Sequence, residues 1–192
     1  LALGRDCRLW RATAAAMEPL ATLPGTPGDC VALQAGPEGA WAASEHAGIF
    51  LLDARNGRVL RRLPLAGLVS GAQPVTTLLR RRDGSLLVGL RGGRIVRIAG
   101  PASEPALLAL DRRLESAVTA LHEDPAGSLW IGSYTSGLHY ARPLSPVVRA
   151  GSAEAGAPGG WPRGSMRAIW RSGDHTLLGT DSGMFERLPG ES

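Results

Sequence analysis

Apolar residues along this chain fall in short runs bounded by glycine and aspartate, and few of them recur at i, i+3, i+4 for more than two turns. That pattern predicts strands rather than helices. Residues 118–140 set out the unit: Val118-Thr119-Ala120-Leu121, a turn through Gly127, the run Leu129-Trp130-Ile131-Gly132, a short loop, then Gly137-Leu138-His139-Tyr140. The unit recurs. Val75-Thr76-Thr77-Leu78-Leu79 leads through Asp83-Gly84 to Leu86-Leu87-Val88-Gly89 and on to Gly93-Arg94-Ile95-Val96. Val31-Ala32-Leu33 leads to Gly39-Ala40-Trp41-Ala42-Ala43-Ser44 and then Gly48-Ile49-Phe50-Leu51-Leu52. Met166-Arg167-Ala168-Ile169-Trp170 leads to Thr176-Leu177-Leu178-Gly179 and then Gly183-Met184-Phe185. Leu1-Ala2-Leu3-Gly4, followed by Leu9-Trp10, fits the second and third strands of a further copy. Positions 4, 44, 89, 132 and 179 close the second strand of each copy, a period of about 40–45 residues.

A strand–hairpin–strand–hairpin–strand unit of that period, with a fourth strand in the remainder, is a propeller blade. Glycine in the first turn permits the positive φ of a tight hairpin, and the apolar second strand suits burial on both faces. A β-sandwich has no reason to repeat one local signature at a fixed interval. The expected fold is therefore all-β: a β-propeller of four-stranded antiparallel blades, about four complete and one partial, in a single segment spanning 1–192. Blade motifs are expected at 1–20 (partial), 30–63, 74–110, 117–150 and 165–192, with fourth strands at Val59-Leu60-Arg61-Arg62-Leu63, Ala106-Leu107-Leu108-Ala109-Leu110 and Val147-Val148-Arg149-Ala150. Sheets apolar on both faces need neighbours. The first copy starts inside its second strand and Arg187-Leu188-Pro189-Gly190 stops where an outer strand is due, so the chain reads as a fragment of a larger propeller. The remaining blades are its first expected partners.

Composition adds little to the fold but narrows the partners. The sequence is 44% hydrophobic and 20% charged, with no apolar run long enough to span a bilayer. A membrane is expected only through a flanking segment, and neither a basic n-region nor an apolar h-region marks a signal peptide. The net charge of +4 comes from 21 basic residues, all arginine. They are scattered along the chain, with two Phe and two Tyr available for stacking, so nucleic acid is not an expected partner. Cys7 and Cys30 cannot define a disulfide framework and read as two small core or surface residues rather than a bridge.

The run Val118-Thr119-Ala120-Leu121-His122-Glu123-Asp124, Gly127-Ser128-Leu129-Trp130-Ile131-Gly132-Ser133 and Ser136-Gly137-Leu138 resembles the two-component regulator propeller repeat. The resemblance is strong over 118–142, fair at 75–98 and 166–188, and weak at 31–53, where Trp41 sits one place early and Ser44 replaces glycine. It implies a large propeller forming the periplasmic sensor region of a hybrid histidine kinase or diguanylate cyclase. A periplasmic location and signal transduction to an output domain outside this chain follow from it as expectations, with a homodimer as a further partner; the alternative expectation is a free-standing propeller scaffold for protein–protein contact, and after it a propeller lyase.

Catalytic motifs are missing. No His-Glu-x-x-His, Gly-x-Ser-x-Gly, phosphate loop or dinucleotide fingerprint is present, so no enzymatic activity, catalytic residue, metal ligand or cofactor is expected. His122, His139 and His175 read as structural, whereas His46 occupies a loop between second and third strands. Asp83, Asp124 and Asp174 recur at the first hairpin, where a turn role suffices. Trp41, Trp130 and Trp170 read as blade packing, and Arg80-Arg81-Arg82 as a solvated basic turn. In propellers the loops between second and third strands share a face with the loops leading into the next blade. That face would gather Arg5 with Asp6, Glu45 with His46, Arg91, Tyr134 with Thr135, and Asp181, and the connecting loops would add Arg112, Arg113, Glu115, Trp161 and Arg163. Arg5, His46, Arg91, Tyr134, Asp181, Trp161 and Arg163 are the candidate ligand-binding residues. The mixture of arginine, acid and aromatic suits a small polar ligand such as a glycan or an anion.

Overall fold

The computed structural model describes residues 1–65, 73–110, 114–141, 148–151, 165–172 and 175–187. Strands β1 (Ala2–Leu3), β2 (Arg8–Ala12) and β3 (Met17–Thr22) form a first sheet, and β4 (Cys30–Gly36), β5 (Gly39–Ser44), β6 (Gly48–Leu52) and β7 (Val59–Leu63) a second. The third contains β8 (Val75–Arg80), β9 (Leu86–Leu90), β10 (Ile95–Ile98) and β11 (Pro105–Leu107). Then come β12 (Val118–Glu123), β13 (Leu129–Ser133), β14 (Leu138–Ala141) and β15 (Val148–Gly151), and finally β16 (Met166–Ser172), β17 (His175–Thr180) and β18 (Gly183–Arg187). Each sheet keeps its strands in chain order, and no described residue is helical. Successive antiparallel strands in sequence order, repeated sheet by sheet, are blades. Of the expected fourth strands, Val59–Leu63 forms as written, the next is shortened to Pro105–Leu107, and the third runs Val148–Gly151. The first sheet also has an outer strand, β3. Val147, Asp174 and residues 188–190 lie outside the described residues.

The strand pairing corrects the register read from the sequence at 31–53. Cys30 pairs with Ser44, Val118 with Ser133 and Met166 with Thr180. Ser44 therefore corresponds to Ser133 rather than to Gly132, Trp41 corresponds to Trp130, and alanine at 43 takes the place of the glycine. In all three sheets the first strand carries a bulge at its start, between Cys30 and Ala32, Val118 and Ala120, and Met166 and Ala168. An extra residue there strengthens the twist and re-aims one side chain.

The chain divides into two compact units, Leu1–Val88 with Val96–Leu107, and Gly89–Ile95 with Leu108–Ser192. In the first, Leu9, Ala40, Ala42, Phe50 and Leu52 close a core between the first and second sheets. β5 is buried along its whole length: its small Ala40 and Ala42 let the first sheet come close, while Trp41 serves the opposite face. Fully burying a side chain such as Phe50 or Leu52 contributes roughly 1.5–3 kcal/mol. The same core holds a disulfide between Cys7 and Cys30, with Cα atoms 5.1 Å apart. This corrects the reading of two separate cysteines. The loop at 4–7 and the lead-in to β4 are brought side by side by packing that no spacing rule records.

Each unit contains the same polar clamp between neighbouring sheets. In the first, the Trp41 indole donates to Glu38 at 2.9 Å, and Arg80 of the next sheet grips that carboxylate with Nε at 2.9 Å and a terminal nitrogen at 3.1 Å. In the second, Asp124 accepts from the Trp130 indole at 3.1 Å, the Ser128 amide at 2.9 Å and Arg171 at 3.2 Å. The Arg171 guanidinium also sits 5.8 Å from the Trp130 ring centroid, and Trp130 packs on Tyr140 with centroids 4.8 Å apart. Arg80 is thus half of an ion pair and not part of a solvated turn, and Asp124 does more than shape its hairpin. The Glu38 equivalent escaped the sequence reading because the turn acid differs in type.

Trp170 departs from expectation: it is 54% exposed. Cross-strand pairing puts it on one face with Ala168, Leu177 and Met184, while the other face of that sheet buries Leu178 against Leu138 and Met166. The indole lies on the side that no described strand covers.

Burial pushes the Asp124 carboxyl up, but the donors from Trp130, Ser128 and Arg171 outweigh it and hold the pKa below the ordinary aspartate value. A group held lower in the folded chain than in the unfolded one stabilises above the unfolded pKa and loses that contribution as pH falls through the folded one. Asp124→Ala should cost about 2–3 kcal/mol at neutral pH, read as a lower urea midpoint. It should also flatten the acid limb of stability below about pH 4. Replacing both Cys7 and Cys30 by serine should cost about 2–4 kcal/mol, measured the same way in oxidising buffer.

Candidate functional site

In three of the sheets the residue that follows the second strand donates its backbone N–H to the carbonyl of the residue that precedes the first strand. Glu45 donates to Asp29 at 2.6 Å, Tyr134 to Ala117 at 2.9 Å and Asp181 to Ser165 at 3.2 Å. This bond seats the loop between second and third strands against the lead-in to its own blade. A hydroxyl at the end of the second strand closes the loop from the other side. Ser44 accepts from the Ala47 amide at 3.2 Å, Ser133 donates to the Gly137 carbonyl at 2.9 Å, and Thr180 donates to Gly183 at 3.1 Å. The loop residues between these two fixings are turned outward.

In the first unit this frame brings together three stretches. The Arg5 carbonyl accepts from the Gly28 amide at 2.6 Å, and the Cys7 carbonyl from Leu23 at 2.8 Å, so loop 4–7 lies along 23–29. Asp29 in turn reaches His46, Oδ1 to Nδ1 at 3.2 Å, with the Asp29 side chain largely covered and the imidazole 60% exposed. Its other oxygen accepts from the Thr26 amide at 3.1 Å and the Thr26 hydroxyl at 2.5 Å. The Thr26 hydroxyl, then its amide, and then His46 hold the Asp29 pKa below the ordinary value. One potential ligand atom from each of Asp29, Glu45 and His46 lies within 4.8 Å of the others. Asp6 stays local, its carboxylate meeting the Arg8 amide at 3.2 Å.

The second unit holds a separate grouping. Gly93, at φ +71, turns the hairpin that carries exposed Arg91; a methyl there would lie 2.1 Å from the Leu114 carbonyl oxygen and 2.9 Å from that of Ser116. The Ser116 hydroxyl accepts from the Thr135 amide at 3.1 Å. The Arg91 and Tyr134 hairpins thus both lean on residues 114–117, whose Glu115 is exposed. Tyr134 is 48% exposed, and the Arg167 guanidinium lies 5.7 Å from its ring centroid. Asp181 is exposed but spends its Oδ1 on the Ser165 amide at 3.2 Å.

Of the candidate residues, His46 meets Asp29, Arg5 touches the 23–29 stretch through its carbonyl on the Gly28 amide, and the hairpins that carry Arg91 and Tyr134 both rest on 114–117. Trp161 and Arg163, with Arg112 and Arg113, lie outside the described residues. Asp29, Thr26 and Arg167 were not among the candidates. The signal for Asp29 was its place immediately before a first strand; Arg167 sits in the bulge of β16, a feature the residue pattern does not display. His139 is buried within β14, and His175 opens β17 with Nδ1 3.0 Å from Glu186.

Sheets in chain order with loops fixed at one end define a β-propeller scaffold that presents variable residues from its loops. More narrowly, residues 114–135 match the two component regulator propeller family. No curated protein matches the sequence. Among solved structures, the extracellular domain ascribed to a one component system, BT4673, from B. thetaiotaomicron aligns with TM-score 0.72 at 14% identity, over 95% of this chain and 26% of that one. The extracellular domain ascribed to a hybrid two component system of the same organism, BT3049, aligns with TM-score 0.67 at 12% identity, over 97% of this chain and 27% of that one. The computationally designed Ika4 protein aligns with TM-score 0.64 at 16% identity, over 89% of this chain and 98% of that one. The chain spans about a quarter of the two extracellular domains, and at these identities the likeness concerns the fold.

Because Gly93 combines a left-handed backbone with contact to two carbonyls, Gly93→Ala should destabilise by about 2 kcal/mol or more. A urea titration checks it. A midpoint equal to that of the parent chain would show that the hairpin does not rest on 114–117 as described.

Proposed function

We propose that this chain is a non-catalytic, ligand-sensing segment of a periplasmic β-propeller in a two-component sensor protein, with a histidine kinase or diguanylate cyclase as the output. The observation that carries this reading is the family match over residues 114–135. Its last positions, Tyr134 and Thr135, stand on the loop that the Tyr134–Ala117 bond turns outward. The similar structures named as extracellular domains support the location, and so does the Cys7–Cys30 disulfide, since such bridges persist in oxidising compartments. The ligand surface consists of Arg91, Tyr134 and Arg167: guanidinium groups for anionic or hydroxyl-rich partners and a ring for sugar or planar faces. Binding shifts an existing equilibrium of the sensor by no more than the ligand's differential affinity for its two states.

Two measurements test this. Translating the DNA on both sides of the coding segment should reveal further blades, a membrane helix and a kinase or cyclase domain; stop codons beside both ends would replace the sensor with a free-standing scaffold. Thermal-shift screening of the chain against acidic oligosaccharides, neutral oligosaccharides and inorganic phosphate should give a ligand whose affinity falls about tenfold in Arg91→Ala and in Tyr134→Ala. Unchanged affinity in both variants would remove these loops from the binding surface.

A further inference from the structure

We propose that Asp29, Glu45 and His46 form a binding site for a divalent transition-metal ion of the zinc class. The inference is independent of the signalling reading, because it rests on three side chains and the loops that hold them. The residues come from two loops, 23–29 before β4 and the turn between β5 and β6, joined by the Glu45 N–H to Asp29 carbonyl bond at 2.6 Å. One ligand atom from each lies within 4.8 Å of the others, and among the described residues this is the sole group of three His, Cys, Asp or Glu so placed.

The geometry that makes this ion pair also admits a metal. His46 Nδ1 and Asp29 Oδ1 are 3.2 Å apart; a zinc ion about 2.0–2.1 Å from each would subtend roughly 100–105°, close to tetrahedral. Thr26 holds the other Asp29 oxygen through its amide and hydroxyl, which leaves Oδ1 directed at the site, the outer support that ligating carboxylates usually have. Cys30, the next residue, is tied to Cys7, so the Asp29 backbone is held on both sides. Glu45 has its backbone fixed by the same Asp29 bond and brings its carboxylate in by a side-chain adjustment. The imidazole selects a borderline ion over calcium or magnesium, which prefer oxygen alone. Three protein ligands leave a fourth position for water, the arrangement of open zinc sites.

His175 and Glu186 provide an internal comparison: they meet at 3.0 Å with both side chains exposed, and no third ligand joins them among the described residues. The test is isothermal titration of the tag-free, EDTA-treated 192-residue chain with Zn²⁺, repeated with Ca²⁺, alongside Co²⁺ absorption spectra. The expected result is one Zn²⁺ per chain, a tetrahedral-type Co²⁺ spectrum and no Ca²⁺ binding at that site. His46→Ala and Asp29→Asn should each weaken Zn²⁺ about tenfold or more, and His175→Ala should leave it unchanged. Circular dichroism confirms folding. If Asp29→Asn loses its Thr26 turn and unfolds, exposed His46 still decides the matter. Absence of Zn²⁺ binding below about 1 mM, or binding that His46→Ala does not alter, overturns the site.

Discussion

A sheet whose second strand is buried on both faces cannot satisfy its own apolar surface, and the rest of this structure depends on that constraint. β5 and β9 are covered along their whole length, so each blade is held by what lies on either side of it. Close approach is therefore selected at particular inner positions. Ala40 and Ala42 face the first sheet, and Gly132 leaves room for Met166, whose Cγ would be 2.6 Å from any methyl placed there. The exposed Trp170 shows the same constraint from the other side, as a large apolar group on a face that no described strand covers.

Apolar contact between blades is non-directional; the clamps supply direction. A turn acid, an indole from the second strand and an arginine from the next sheet form one hydrogen-bonded group in each unit, Glu38–Trp41–Arg80 and Asp124–Trp130–Arg171. Each satisfies an indole N–H, buried for Trp41 and half-buried for Trp130, and a largely covered carboxylate while fixing the offset of one sheet on its neighbour. At the other end of the sheets, the bond between the residue after the second strand and the residue before the first does the equivalent work for the loops. The frame and the presented surface are thus held by separate interactions, and the loops vary without disturbing the clamps.

The period, the strands and the propeller class were legible because glycine and short apolar runs report backbone geometry directly. The register at 31–53 was not. Ala43 is small enough to stand where two other blades have glycine, so aligning on the last small residue moved Trp41 by one place. The Cys7–Cys30 bridge joins two sheets and depends on the folding of 4–7 along 23–29, whereas the Asp29–His46 contact follows from the pairing of β4 with β5 and the Glu45–Asp29 backbone bond. Exposed Arg91 and Tyr134 were legible as loop residues from the blade pattern alone. Their common support on 114–117, and the Arg167 side chain beside Tyr134, depended on a hairpin contact and a bulge that leave no mark in composition or spacing.

The bulge at the start of β4, β12 and β16 has an evolutionary consequence. The residue it sets aside is Val31 in one blade, Thr119 in another and Arg167 in a third: a hydrocarbon, a hydroxyl that reaches the Met166 carbonyl and a cation beside an aromatic ring. None of these choices alters a cross-strand partner, because the position belongs to neither ladder. Each of these three blades therefore carries one site at which mutation can explore new chemistry while the register of the sheet is inherited intact. A gene built by duplicating such a unit begins with identical copies and can diverge first where divergence is least constrained.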